Sequence, residues 1–182
     1  MKYLIIPGLH GSGDSHWQTK WQQSNPQLFK RVEQHNWDIP DRLSWINTLN
    51  EYVEAETDPV ILIAHSLGCI AVAHWAYSFH SSNVAGALLV APADVERSSQ
   101  AVFRSFAPVP CTRPFPFKTI VVASENDQYV EMKRLNFWSA QWNADLINVG
   151  LRGHINADSG VGFWDEGYEI LEKFSGIHAQ WT

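Results

Sequence analysis

A serine hydroxyl is a poor nucleophile at neutral pH. It attacks a carbonyl carbon only when a base takes its proton and a third group holds that base in one tautomer and stabilises its charge. The chain offers the three residue types in the order Ser66, Asp127, His154, each in or beside a loop that follows an apolar run. Serine, then acid, then histidine is the order this chemistry takes when it is built on a mostly parallel sheet. Asp94 and Glu125 also follow apolar runs and are rivals for the acid's place.

Ser66 sits within PVILIAHSLGCIAVAHWAY, Pro59 to Tyr77. Val60 to Ala64 is a continuous apolar run and reads as a strand buried on both faces. Cys69 to Ala76 is alanine-rich and long enough for a helix. Ser66 thus falls on a strand-to-helix turn, where a nucleophile stands clear of the sheet and the first helical amides point at the oxygen it attacks. Strand and helix pass within backbone contact at such a turn, so small residues are required two before and two after. Gly68 meets this need, and Ala64 replaces the more usual glycine with the next smallest side chain. The plain alternative is a serine N-cap on a buried helix. Cys69, at the start of that buried helix, has nowhere to meet a substrate.

The other elements must bring Asp127 and His154 to this turn. Tyr3 to Ile6 reads as a first strand broken by Pro7-Gly8, followed by the loop Gly8-Leu9-His10-Gly11-Ser12-Gly13. This loop lacks both the Lys-Ser/Thr ending of a P-loop and G-x-G-x-x-G spacing, so nucleotide binding is not indicated. Asp14 or Ser15 is placed to cap a helix carrying Trp17 and Trp21. Arg31 to Trp37 reads as an edge strand, and Leu43, Ile46, Leu49 and Val53 mark an amphipathic helix capped by Asp41. Further strands are expected at Val84 to Val90, Thr119 to Ala123 and Asp145 to Val149. A short helix is expected around Ser98 to Phe106, with longer ones from Tyr129 to Trp142 and from Phe163 or Trp164 to Phe174. Strand and helix alternate, which predicts one three-layer α/β/α domain over residues 1–182, with a mostly parallel six-stranded sheet. In such sheets ligands bind beyond the carboxyl ends of strands, where the candidate residues lie.

The expected roles follow. His154 takes the proton of Ser66, Asp127 orients His154, and the backbone amides of Leu67 and Leu9 meet the oxyanion. Each member has a bland alternative: Asp127 as a helix cap, His154 as a solvated loop histidine. The other seven histidines fit the base less well; His65 is expected to pack beneath the nucleophile, and His16, His35 and His178 to be structural or solvated. No H-E-x-x-H or comparable spacing calls for a metal, and no cofactor is required.

Bulk properties narrow the partners. A net charge of −6 with no basic run longer than Lys133-Arg134 points away from nucleic acid and anionic membranes and fits small neutral or amphipathic partners. The roles expected of Ser66, Asp127 and His154 make that partner a small-molecule ester or acyl substrate. The apolar start, MKYLIIPG, is too short for a signal peptide or a membrane span, so a cytoplasmic location is the default expectation. The two cysteines, Cys69 and Cys111, read as reduced thiols. Oligomeric state is not legible.

PGLHGSGDSHWQTKWQ, NWDIPD, AHSLG, SENDQYV and especially GHINADSGVGFWDEG together resemble the small α/β-hydrolase family of retinoblastoma-binding protein nine and its bacterial relatives. The resemblance covers nearly the whole chain. It implies a compact serine hydrolase of carboxylesterase type with Ser66, Asp127 and His154 in the triad positions, and it favours Asp127 over Asp94. The competing class is a non-catalytic protein-binding member of the fold. Binding to a retinoblastoma-type pocket calls for L-x-C-x-E, and Leu67-Gly68-Cys69-Ile70-Ala71 lacks the glutamate. Thioester, peptide or lactone cleavage by the same triad is a further alternative. The stretch between Asp94 and Phe117 is too short for a lid domain, so an open cleft suited to short acyl groups is expected. His10, Trp17 and Trp164 are candidate substrate-binding residues, with the phenylalanines from Phe103 to Phe117 as further candidates for its walls.

Overall fold

The alternation expected from the sequence forms one sheet. In the computed structural model, which describes residues 1–176, the strands are β1 (Lys2–Ile6), β2 (Phe29–Arg31), β3 (Val60–His65), β4 (Val84–Val90), β5 (Lys118–Ala123) and β6 (Asp145–Asn148). Their order is β2-β1-β3-β4-β5-β6, and every neighbouring pair is parallel. The helices are α1 (Trp17–Ser24), α2 (Arg42–Glu54), α3 (Leu67–Ser78), α4 (Met132–Trp142) and α5 (Asp165–Ser175). This is the compact α/β-hydrolase architecture, with no extra lid among the described residues. His178 lies outside the described residues.

Alternate side chains of each strand point to opposite faces, so strands buried on both sides are apolar throughout. Leu4, Ile6, Leu62, Ala64, Leu89 and Val121 pack on the face covered by α2, α3 and α4. Tyr3, Ile5, Ile63, Leu88, Val90 and Val122 pack on the face covered by α1 and α5. Chain winding reverses between β1 and β3, which are neighbours in the sheet, and Ser66 and the Gly8–Gly13 loop leave the sheet at this crevice.

Several boundaries differ from the sequence reading. The edge strand is Phe29–Arg31, earlier than the expected Arg31 to Trp37, because the pairing available beside β1 runs from Tyr3↔Phe29 to Ile5↔Arg31. The cap of α1 is His16, whose Nδ1 accepts the Gln18 amide, in place of Asp14 or Ser15. Residues 129–131 precede α4, with Asp127 Oδ1 accepting the Tyr129 amide in a local turn. Ala101–Phe106 is a 3₁₀ turn. Asp41 caps α2 through the Ser44 amide as expected.

Among the glycines, the closest approach to another stretch of backbone is at Gly68 in the first turn of α3. A Cβ there would lie 2.3 Å from the Ile6 carbonyl oxygen and 2.6 Å from that of Pro7, both backbone atoms with no freedom to withdraw. Gly68→Ala is expected to cost at least about 3 kcal/mol of stability, whereas Gly13→Ala, in open space, shifts it by less than about 0.5 kcal/mol. Urea unfolding of the two variants checks this; equal midpoints would contradict the assigned contact.

Candidate active site

Ser66 closes the gap between β3 and α3 with φ 54° and ψ −120°, outside the regions that ordinary L-residues occupy. The conformation is held at both ends. The Ser66 amide donates to the Val90 carbonyl at 3.0 Å, and α3, whose residues from Leu67 to Ala76 are all buried, has Gly68 locked against the end of β1. The Gly8 backbone also comes close: a Cβ on it would lie 3.0 Å from that of Ser66. The strand-to-helix turn read from the sequence is therefore present, and the alternative of a serine N-cap is not: Ser66 makes no side-chain cap bond.

His154 Nε2 lies 2.9 Å from Ser66 Oγ, and His154 Nδ1 lies 2.8 Å from Asp127 Oδ2 and 3.0 Å from Oδ1. The Asp127 carboxylate is fully buried and the His154 side chain is 8% exposed. Asp127 is fixed further by the Tyr129 amide, which donates to Oδ1 at 2.8 Å. The His154 ring packs between His65, with ring centroids 4.9 Å apart, and Tyr129, at 4.4 Å. Two loops far apart in sequence meet here through Asn126, whose Oδ1 accepts the Gly153 amide at 2.7 Å and the Ser124 hydroxyl at 3.0 Å. The rival acids are engaged elsewhere. Asp94 is buried beside Arg134, 3.4 Å from its Nε, and accepts the Glu96 and Arg97 amides; Glu125 accepts from Asn148.

The Gly8–Gly13 loop is pinned by Arg31, whose Nη1 donates to the Gly11 carbonyl at 2.6 Å, and by the His10 amide, which donates to the Trp37 carbonyl at 3.1 Å. Among the described residues, neither the Leu9 nor the Leu67 amide has a hydrogen-bond acceptor.

Above Ser66 and His154 lies a cavity of about 350 Å³ whose other walls include His10, Ser12, Phe103, Tyr129 and Asn156. His10 stands at its mouth, 71% exposed and bonded through Nδ1 to Asp38 at 2.8 Å. Trp17 and Trp164 are not part of these walls. They are 0% and 3% exposed and lie at a centroid distance of 5.1 Å in the core between the sheet and α1 and α5, the site's foundation rather than its surface. Of the phenylalanines, Phe103 faces the cavity, while Phe106 and Phe115 are core residues, with Phe117 packed against that core. Tyr129 and Asn126 were not singled out from the sequence. Their only signal there is adjacency to Asp127 in SENDQYV.

His16 also borders the cavity yet is 5% exposed. Burial, with Arg31 and His154 nearby, lowers its pKa to about 3. The ring is neutral, and because Nδ1 accepts the Gln18 amide, its proton is on Nε2. Burial likewise holds His65 well below the usual histidine range. Cys69 is a buried thiol pushed well up by burial, which removes it as a nucleophile. Among the described residues no group of three or more His, Cys, Asp or Glu is placed to hold a metal ion, and no helix is long and apolar enough to cross a membrane.

A parallel sheet of this order, with a serine on the turn after β3 and a histidine and an aspartate on loops at the same edge, defines an α/β hydrolase. Residues 3–173 match the family model described as serine hydrolase, and the chain belongs to that family. It is similar in structure to a YdeN-like hydrolase from Pectobacterium atrosepticum, at 34% identity and TM-score 0.87, over 97% of this chain and 91% of that one. The ydeN gene product of B. subtilis is 22% identical with TM-score 0.78, over 97% of this chain and 100% of that one. No significantly similar sequence is found among curated proteins.

The neutral histidines have a consequence for stability. Unfolded histidine binds a proton below pH about 6.5, whereas His16 in the folded protein stays neutral down to about 3. The unfolded state thus binds more protons across that window, and folding stability falls as pH drops through it, with a slope approaching about 1.4 kcal/mol per pH unit for each such group. Urea unfolding at pH 7.5 and 5.0 is expected to show lower stability at pH 5.0, and a smaller difference in His16→Phe. A pH-independent midpoint would contradict the buried neutral assignment.

Proposed function

We propose that this chain is a serine esterase that cleaves small carboxylic esters through an acyl-enzyme on Ser66. One observation carries the reading: a single imidazole, that of His154, is within hydrogen-bond distance of both Ser66 Oγ and the buried Asp127 carboxylate. His154 Nε2 takes the serine proton as Oγ attacks the ester carbonyl, and Asp127 holds the proton on Nδ1 and stabilises the imidazolium. The backbone amides of Leu67 and Leu9 serve as oxyanion donors, each worth roughly a hundredfold to a thousandfold in rate. The imidazolium then protonates the departing alkoxide. A water deprotonated by His154 attacks the acyl-enzyme, and the serine leaves with the proton returned.

The size and exposure of the cavity support short acyl groups. Its volume of about 350 Å³ is near the lower end for small-molecule sites, and among the described residues no lid covers it. A protein-binding role at the L-x-C-x-E-like segment is disfavoured, because Leu67, Cys69 and Ala71 have no exposed surface. The resemblance to the retinoblastoma-binding protein nine branch and a cytoplasmic location, consistent with the free thiols of Cys69 and Cys111, belong to the same reading.

Fluorophosphonate is expected to label Ser66, and Ser66→Ala to abolish labelling and lower ester turnover by at least about a thousandfold. An unlabelled wild type that is folded would remove the esterase reading. Among p-nitrophenyl esters, acetate and butyrate are expected to exceed palmitate in kcat/KM by at least about tenfold. The opposite order would contradict the short-acyl assignment, and faster cleavage of matched thioesters or peptides would move the substrate class.

A further inference from the structure

The base of such a site must be aimed as well as paired, and the backbone that carries His154 is not in a conformation it would keep unaided. Gly153 and Ile155, on either side of His154, both have positive φ, 58° and 50°. Glycine tolerates this; a β-branched residue does so only when its surroundings impose it. The chain around Ile155 is held by two buried ring N–H groups from distant parts of the sequence. His65 Nε2 lies 2.9 Å from the His154 carbonyl oxygen, and Trp17 Nε1 donates to the Ile155 carbonyl at 2.8 Å. A carbonyl can only accept, so His65 carries its proton on Nε2, the tautomer consistent with a ring kept neutral by burial.

We propose that His65 and Trp17 are positioning residues for His154: their ring N–H groups grip two consecutive main-chain carbonyls and hold the loop that aims the imidazole at Ser66. The proposal rests on His154 acting as the base. His65 is the last residue of β3 and is bonded covalently to Ser66. Its grip on the His154 carbonyl, together with the contact between His154 Nε2 and Ser66 Oγ, therefore closes a short circuit from nucleophile to base and back. Trp17 supplies the second point of attachment, which a single hydrogen bond cannot replace, since one bond leaves the loop free to pivot. Both side chains are buried, 4% and 0% exposed, and His65 packs edge-on against His16 and Trp17, with ring centroids 4.7 and 6.1 Å away. Among the described residues neither carbonyl has another donor, so loss of either ring N–H leaves a buried acceptor empty and the loop free to turn.

The test is the saturation kinetics of Ser66 labelling by a fluorophosphonate, which separates binding (KI) from the chemical step (kinact). Trp17→Phe keeps a ring and loses the N–H; His65→Leu loses the donor; His65→Gln places an amide N–H near the lost Nε2. Trp17→Phe and His65→Leu are expected to lower kinact roughly tenfold to a hundredfold with KI changed by less than about twofold. His65→Gln is expected to recover about tenfold of the loss seen in His65→Leu. A merely structural role would lower the fraction of protein that labels and leave kinact of the labelled fraction at the parent value. That result overturns the proposal, and in Trp17→Phe it suffices even if the His65 variants do not fold. A parent protein that fails to label at Ser66 would remove the base assignment itself, and this inference with it.

Discussion

The contact on which the site depends is the close packing of the first turn of α3 against the end of β1, made possible by Gly68. A serine at φ 54° and ψ −120° stores strain of about 1–3 kcal/mol, and nothing local relieves it. What sustains it is the burial of α3 from Leu67 to Ala76 against a sheet that is apolar on both faces, with the Ser66 amide tied to β4 through Val90. The core thus does two things at once. It supplies the hydrophobic free energy of the fold, and part of that free energy holds one side chain where its oxygen can be reached.

The same economy applies to Asp127 and His154. Parallel strands all end at one edge, so loops that are far apart in sequence converge there without any long-range device of their own. The loops carrying Asp127 and His154 are then tied by short hydrogen bonds through Asn126 and Ser124, and the Gly8–Gly13 loop is tied by Arg31. The His154 ring is enclosed by two others, those of His65 and Tyr129, and the Asp127 carboxylate is buried. Such enclosure raises the strength of each polar contact and leaves fewer alternatives for the imidazole.

Much of this was legible in the sequence because it is written in local pattern. Apolar runs ending in polar, glycine-punctuated loops mark strands and their carboxyl ends. That criterion, with residue type and chain order, picked out Ser66 and His154 and left Asp94, Glu125 and Asp127 as acids, of which the family resemblance favoured Asp127 over Asp94. Side-chain direction is not written locally. Trp17 and Trp164 neighbour reactive segments in the chain, yet both point into the core under α1 and α5, because only packing decides which face of a helix is covered. The edge strand was misplaced for a related reason: Phe29-Lys30-Arg31 is too short to show alternation, and its pairing with β1 is a tertiary choice. Tyr129, Asn126 and the grip of Trp17 on Ile155 are contacts between elements, and no spacing rule along one segment could have revealed them.

The central claim is that Ser66 becomes covalently acylated during turnover. The direct measurement is a rapid acid quench during steady-state hydrolysis of p-nitrophenyl acetate, followed by peptide mapping by mass spectrometry. The account predicts an acetyl group on the peptide containing Ser66, absent from a control quenched before substrate addition. Turnover that proceeds with no acetylated serine, or with the acetyl group on Cys111 instead, would contradict it.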